Sequence, residues 1–298
     1  MTDIAMADYI IVTPAYNEDR YIGQTIDSVL VQTVLPQLWI IVDDGSTDNT
    51  AQIIREKTAG HPWIRYIYRP KIAGQTYYAS NVYAIEEALE QTAELEYAYL
   101  AILDADISLP SDYYRRIFDC FGRDEKLGIA SGVYLVPSQR GLKKVLNDRR
   151  SCPKNIMVFR RRCFEEIGGF VPMKYGGEDT CACFTARMKG WKVWSFPDIE
   201  VAHNKPVGSG HAANLMKIRF RQGIGEYFLA THPLFLLVKS LRRCIKESPF
   251  LLGGLLRIAG FVYASFMGEK RQIQDNLVKF IRDEQFRRIW TLNRISEP

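Results

Sequence analysis

Two aspartates one residue apart, Asp104 and Asp106, follow an apolar run in the stretch AILDADISLP, residues 101–110. Burying an uncompensated carboxylate is costly, so acids at the exit of a core segment imply an occupant that neutralises them. Successive side chains alternate across a strand, but at its end the second can bend in beside the first. Such a pair suits a hard divalent cation, Mg²⁺ or Mn²⁺, bound through oxygen and shared with substrate phosphates. Two upstream segments end apolar runs in the same way: TPAYNE (13–18) and VDDGSTDNT (42–50). An aromatic ring such as Tyr16 can stack on a base. A carboxylate such as Asp43 can accept hydrogen bonds from a base N–H or from ribose hydroxyls. Gly45 to Thr50 also reads as a tight turn, with Asp48 or Thr50 capping the helix that follows. GGED (176–179) supplies a second acid pair, Glu178 and Asp179, at the start of a helix predicted from Asp179.

The elements that must position these groups alternate. DYIIVTPAYNE reads as a strand from Tyr9 to Thr13, broken by Pro14. RYIGQTIDSVLVQT carries Ile22, Ile26, Val29 and Leu30 at helical spacing. LWIIVDD is a buried strand, NTAQIIREKTA a helix and IRYIYRP a short strand. YYASNVYAIEEALEQT is a helix and YAYLAILDAD a strand. This alternation predicts an α/β fold with a mostly parallel sheet covered by helices. Ligands of such sheets bind beyond the carboxyl ends of the strands, where Tyr16, Asn17, Glu18, Asp43, Asp44, Asp104 and Asp106 all fall.

The chain has 298 residues, 47% hydrophobic and 24% charged, with a net charge of +5, values of an ordinary globular protein. Its charge is uneven. Arg140 to Arg162 holds nine Lys or Arg against one acid, and Lys217 to Lys246 seven against one. These stretches suit phosphates or a membrane surface, or are simply solvated faces; no nucleic-acid partner is expected. Six cysteines at 120, 152, 163, 181, 183 and 244 form no C-x-x-C pair and no zinc-site spacing. The first residues, MTDIAMADYIIVTPAYNE, put acids where a signal peptide carries positive charge. The expectation is a cytoplasmic chain with reduced thiols.

P-A-Y-N-E, D-D-G-S-T-D and D-A-D, in that order across about 100 residues, resemble the family 2 glycosyltransferases. GGED and EDTCACFTARMKGWKVW extend the resemblance, which covers roughly residues 8 to 225. It implies a GT-A, Rossmann-like fold and an inverting transfer of one sugar from a nucleotide-diphosphate sugar to a hydroxyl acceptor. That acceptor would be a lipid-linked or polysaccharide intermediate of cell-surface glycan synthesis. Pro14, Tyr16, Glu18, Asp43 and Asp104 would hold the nucleotide-sugar. Asp106 and His203, with Asp104, would hold Mg²⁺ or Mn²⁺. Asp179 would be the general base, with Glu178 positioning acceptor or base, and adjacent carboxyls can have separated pKa values. Arg219 and Arg221 in KIRFRQGIGEY reach a diphosphate or an anionic acceptor, or form a basic helical face. His211 is a lid residue or a solvated loop histidine. The segment KIAGQTYYASNVYAIEEAL is poorer in Gly, Asn and Arg than the family's, which leaves base contacts by Lys71 or Tyr78 open. A nucleotidyltransferase acting on sugar phosphates and an inactive nucleotide-sugar-binding protein are the rival readings.

The domain reading is a catalytic region over 1–230 and a helical region over 231–298. Within the latter, FLLGGLLRIAGFVYASFM runs from Phe250 to Met267 with Arg257 near its middle. A charge there opposes membrane insertion. As a helix it would place Gly253, Arg257, Gly260, Ala264 and Gly268 on one face and Leu251, Leu255, Ile258, Val262 and Phe266 on the other. The tail would bind the inner face of the cell membrane peripherally, pack on the catalytic region, or form a homodimer.

Overall fold

In the computed structural model, which describes residues 8–138, 141–145, 148–205, 215–246 and 249–290, the apolar runs become strands of one sheet. The first half builds β1 (Tyr9–Ala15), α1 (Ile22–Leu30), β2 (Leu38–Asp43), α2 (Thr50–Thr58), β3 (Ile64–Tyr68), α3 (Tyr77–Glu90) and β4 (Tyr99–Leu103). β1 and β2 are apolar and wholly or almost wholly buried because helices cover both faces of the sheet. One core layer gathers Tyr9, Ile11, Trp39, Ile41 and Ala101 against α1; the other gathers Ile10, Val12, Ile40, Leu100 and Ile102 against α3.

The chain continues through β5 (Ile107–Ser108), α4 (Tyr113–Arg123), β6 (Leu127–Ser138), β7 (Gly141–Lys144), β8 (Ile156–Arg160), α5 (Arg161–Ile167), α6 (Glu178–Met188) and β9 (Lys192–His203). The strand order is β3-β2-β1-β4-β8-β6-β9-β5, with β7 paired to β6. β3, β2, β1 and β4 are mutually parallel and β6 runs parallel to β9, whereas β8, β7 and β5 pair antiparallel to their neighbours. The fold is therefore α/β on a curled, mostly parallel sheet, as the alternation predicted.

β1 does not stop at Thr13 but runs through Pro14 to Ala15. The Ala15 carbonyl accepts from Asp44 N–H at 2.8 Å, so Ala15 faces β2 and Pro14 faces the other side. There, pairing with β4 has already ended at Val12 and Ile102. The missing proline N–H removes no ladder bond, which is why a central strand tolerates it.

Two compact units divide the described residues: 8–172 with 178–205, and 173–177 with 215–290. The second holds α7 (Leu215–Phe228), α8 (Pro233–Lys246), α9 (Leu252–Phe266) and α10 (Asp275–Trp290). It therefore takes in α7, upstream of the boundary at 230 read from the sequence. α9 buries Gly253, Gly254, Arg257, Gly260 and Ala264, and leaves Leu251, Leu255, Val262 and Phe266 exposed. The reason is close backbone approach. A Cβ on Gly260 would collide with the Phe220 carbonyl of α7, and one on Gly254 with Ser240 of α8. Gly268 lies past the helix end, in a left-handed turn at φ +68° rather than on the small-residue face. No helix among the described residues is long and apolar enough to cross a membrane.

Candidate functional site

The parallel register sets the site. Ala15 pairs with Asp43, and Val12 with Ile102, so the exits of β1, β2 and β4 open side by side. The cleft there is lined by Pro14, Tyr16, Glu18, Asp44, Tyr77, Asn81, Asp104 and Asp106.

The loop after β2 holds the loop after β1. Asn17 N–H donates to Ser46 Oγ at 3.0 Å, Glu18 N–H to Thr50 Oγ1 at 2.8 Å and Asp19 N–H to an Asp48 carboxylate oxygen at 3.3 Å. In return Asn17 Oδ1 accepts from Thr47 N–H at 2.8 Å. Asn17 adopts φ +53°, a conformation asparagine tolerates better than most residues. DGSTDNT is thus a scaffold. Asp48 accepts from Thr50 N–H and hydroxyl at the mouth of α2, although the N-cap residue itself is Asn49, with no side-chain cap bond.

Asp43 and Asp44 divide the work differently from the sequence reading. Asp43 is fully buried and absent from the cleft wall; its oxygens accept from Ser46 N–H at 2.8 Å and Tyr66 OH at 2.9 Å. Asp44 lines the cleft, held by Arg69, by Lys71 Nζ at 2.5 Å and by Ser80 Oγ at 2.6 Å. Lys71 Nζ also sits 4.1 Å from the centre of the Tyr16 ring. One face of a stacking aromatic is therefore backed by a cation. A Cβ on Gly45, which has φ +78°, would stand 2.9 Å from Lys71 N, so glycine lets the two loops meet.

The short β5 strand pairs Ile107 with His203 and brings the D-x-D acids to the end of β9. Asn204 N–H donates to the Asp106 carbonyl at 2.9 Å and locks that junction. His203 Nδ1 lies 2.6 Å from the Lys205 carbonyl, which can only accept, so Nδ1 carries the proton. The Nε2 lone pair is then directed to the Asp106 side, 3.9 Å from Oδ2. Among the described residues Asp106 Oδ1 is buried with no hydrogen-bond partner, as is Glu18 Oε2. Burial and then the charge of Asp104 push the Asp106 carboxyl up, against His203 and Lys205. Glu18 accepts from Lys205 Nζ at 2.8 Å; burial nonetheless raises its carboxyl to about 7, with Asp106 and Asp104 adding to the effect.

These residues fit a divalent ion. They offer a hard oxygen, an imidazole nitrogen in the ligating tautomer and orphaned buried carboxylate oxygens. Among the described residues no three His, Cys, Asp or Glu side chains gather closely enough to hold one unaided. Two protein ligands completed by substrate phosphates is the ordinary arrangement for Mg²⁺.

The GGED acids begin α6 at Glu178, one residue earlier than predicted, after Gly176 and Gly177 at φ +84° and +104°. Glu178 is buried, with Oε2 unpartnered among the described residues. Burial and then the neighbouring Asp179 charge raise its carboxyl, opposed by Lys154. Burial also raises Asp179, against its bonds with Thr180 N–H and hydroxyl and the nearby Lys154.

No motif singled out Lys154. Its ammonium donates to Asn81 Oδ1 at 2.7 Å and Asp104 Oδ1 at 3.0 Å, and its side chain is 11% exposed. Burial works to lower its pKa, but Asp104, Glu178 and Asp179 outweigh it and hold the ammonium above its ordinary value. Its backbone N–H also favours the ionised form of Asp179. Lys154 thus joins the D-x-D acids to the GGED acids. Lys205, partner of Glu18, was likewise missed. Elsewhere in the basic stretch, Arg161 pairs with Glu165, Arg162 with Glu166 and Lys144 with Glu200. Arg219 donates to Gln222 within α7, and His211 lies outside the described residues.

Known proteins are similar to this chain. The profile of glycosyl transferase family 2 matches residues 10–189. An uncharacterised glycosyltransferase of Mycoplasma pneumoniae is 28% identical over 138 residues, 46% of this chain and 43% of its own length. A poly-β-1,6-N-acetyl-D-glucosamine synthase of Staphylococcus epidermidis is 31% identical over 117 residues, 39% of this chain and 26% of its own. The chain thus spans under half the length of these relatives. A mannosyltransferase from Pyrobaculum calidifontis, solved in complex with GDP-Man and Mn²⁺, superposes over 99% of this chain and 89% of its own. The TM-score is 0.58 at 17% identity, a likeness of fold.

Proposed function

The chain belongs to glycosyl transferase family 2, and on that premise we propose that it is an inverting, metal-dependent transferase of one sugar from a nucleotide-diphosphate sugar to a hydroxyl of a glycan or lipid-linked acceptor. The observation that carries this reading is the pairing of Ile107 with His203, which faces His203 Nε2 to Asp106 while an oxygen of Asp106 stays unsatisfied among the described residues. The synthase of S. epidermidis supports a polysaccharide product, and the GDP-Man and Mn²⁺ of the archaeal enzyme support the donor class and the metal.

In this reading Tyr16, backed by Lys71, stacks on the base, and Pro14 and Asp44 complete that wall of the cleft. Asp43 acts through the turn it holds. Asp106 and His203, with Asp104 beside them, would hold Mg²⁺ or Mn²⁺, which would neutralise the leaving diphosphate. Asp104, Asn81 and Lys154 form a polar floor on the side of the acid pair. Asp179 takes the proton of the acceptor hydroxyl as its oxygen bonds to the anomeric carbon and the bond to the diphosphate breaks. Its raised carboxyl makes it a better base than an exposed aspartate. Thr180 holds it through two hydrogen bonds, Lys154 favours its charge, and Glu178 helps position acceptor or base. Attack opposite the leaving group inverts configuration without a protein nucleophile.

The test is nucleoside-diphosphate release from a panel of UDP-, GDP- and dTDP-sugars with Mn²⁺ and with EDTA. Metal-dependent release from one donor class, lost in Asp106→Asn, is expected. Release that ignores EDTA would remove the metal from the reading, and no release from any donor would remove the transferase.

A further inference from the structure

The second unit carries an apolar surface that its own packing leaves uncovered. On α8, Leu234, Leu237 and Leu241 follow one another at spacings of three and four and are all exposed. On α9 and the turn before it, Phe250, Leu251, Leu255, Tyr263 and Phe266 are each more than half exposed, Phe266 at 84%. The two helices are neighbours: Leu251 N–H donates to the Cys244 carbonyl at 2.9 Å, and Gly254 meets Ser240. Soluble single chains rarely leave several large apolar side chains bare on adjoining helices.

Charge selects the occupant. Residues 233–266 contain five Lys or Arg and one acid, Glu247, and no acid occurs among the described residues of α8 or α9. Lys239 is held by Glu226 and Arg257 is buried, while Arg242 stands exposed beside the leucine stripe with Arg243 half-buried next to it. A two-fold dimer through this face would oppose these arginines to identical ones. An anionic bilayer interface instead accepts both the apolar stripe and the flanking cations. α9 has 15 residues, a rise of about 22 Å against a hydrocarbon core of about 30 Å, with Arg257 buried on its protein side. It is not long enough to cross a membrane.

We propose that the exposed face of α8 and α9 docks the protein on anionic lipid, with Leu241, Leu251, Leu255 and Phe266 entering the headgroup layer. The inference stands apart from the transferase reading. The test is flotation of the full chain with vesicles of equal parts phosphatidylcholine and phosphatidylglycerol, beside pure phosphatidylcholine vesicles. The wild type floats with the anionic vesicles and comes off in high salt. Leu255→Glu with Phe266→Glu lowers the bound fraction at least about tenfold. Both positions are exposed, so the variant keeps the wild-type melting temperature. Its metal-dependent nucleoside-diphosphate release without vesicles equals that of the wild type. Floating protein that turns over no nucleotide-sugar upholds this surface while removing the transferase. A wild type that never floats overturns it, and so does a dimer in sedimentation that the double variant splits while vesicles bind neither protein.

Discussion

Lys154 connects two carboxylate sets that lie far apart in sequence, and its role is open to a decisive substitution. Lys154→Met keeps the backbone N–H toward Asp179 but removes the ammonium from Asp104, Glu178 and Asp179. We expect kcat to fall by about tenfold or more, roughly 1.4 kcal/mol in the barrier, with the donor KM changed much less. Because the lost cation opposed the rise of Asp179, the acid limb of the kcat–pH profile should move to higher pH, and Lys154→Arg should restore it in part. A lysine that only stabilised the fold would lower the melting temperature and leave that limb in place. Asp179→Asn should keep donor binding, read by calorimetry, and lose about 10²–10⁴-fold in kcat. The sign in the wild type follows from burial. Asp179 must be ionised to accept a proton, and its raised carboxyl means activity is lost, as pH falls, above the usual carboxylate range.

Between elements, the loop after β2 sets the loop after β1 through three backbone N–H groups of residues 17 to 19. Thr50→Val removes both the acceptor for Glu18 N–H and the hydroxyl donor to Asp48, leaving the Thr50 N–H bond in place. A cost of about 1 kcal/mol is expected, with a higher donor KM and little change in kcat, measurable by steady-state kinetics. This loop pair also marks how far the sequence could be read. Apolar runs and their periodicity predicted the strands of the first half, β1 to β4, and acids at strand exits predicted the cleft, because β-exits converge whenever the strands are parallel. Asp43 and Asp44 could not be told apart, since alternation at a strand end depends on where the turn begins. Lys154 and Lys205 carry no motif. They reach Asp104 and Glu18 across 50 and 187 residues, and only the antiparallel additions β8 and β5 make those meetings possible. The bare face of α9 was legible because one helix needs only a period of 3.6.

At the scale of the whole molecule, the helical unit depends on glycines where α9 crosses its neighbours. Gly260→Val would drive side-chain atoms into the Phe220 carbonyl and Ile224 N. The expected destabilisation is about 1–3 kcal/mol or more, seen as a lower thermal midpoint, whereas Leu255→Gln on the exposed face should stay within about 0.5 kcal/mol. The sheet order reaches further still, into how the chain is made. β4 lies between β1, already synthesised, and β8, which begins only at Ile156. At ribosomal speeds the apolar edge YLAIL therefore waits on the order of seconds, unpaired, for its second neighbour. A nascent chain can shape the walls around Tyr16 and Asp44 early, but His203 arrives last. Yield in the cell is then governed by whatever shields β4 in that interval, and slowing translation between residues 103 and 156 should favour aggregation over folding.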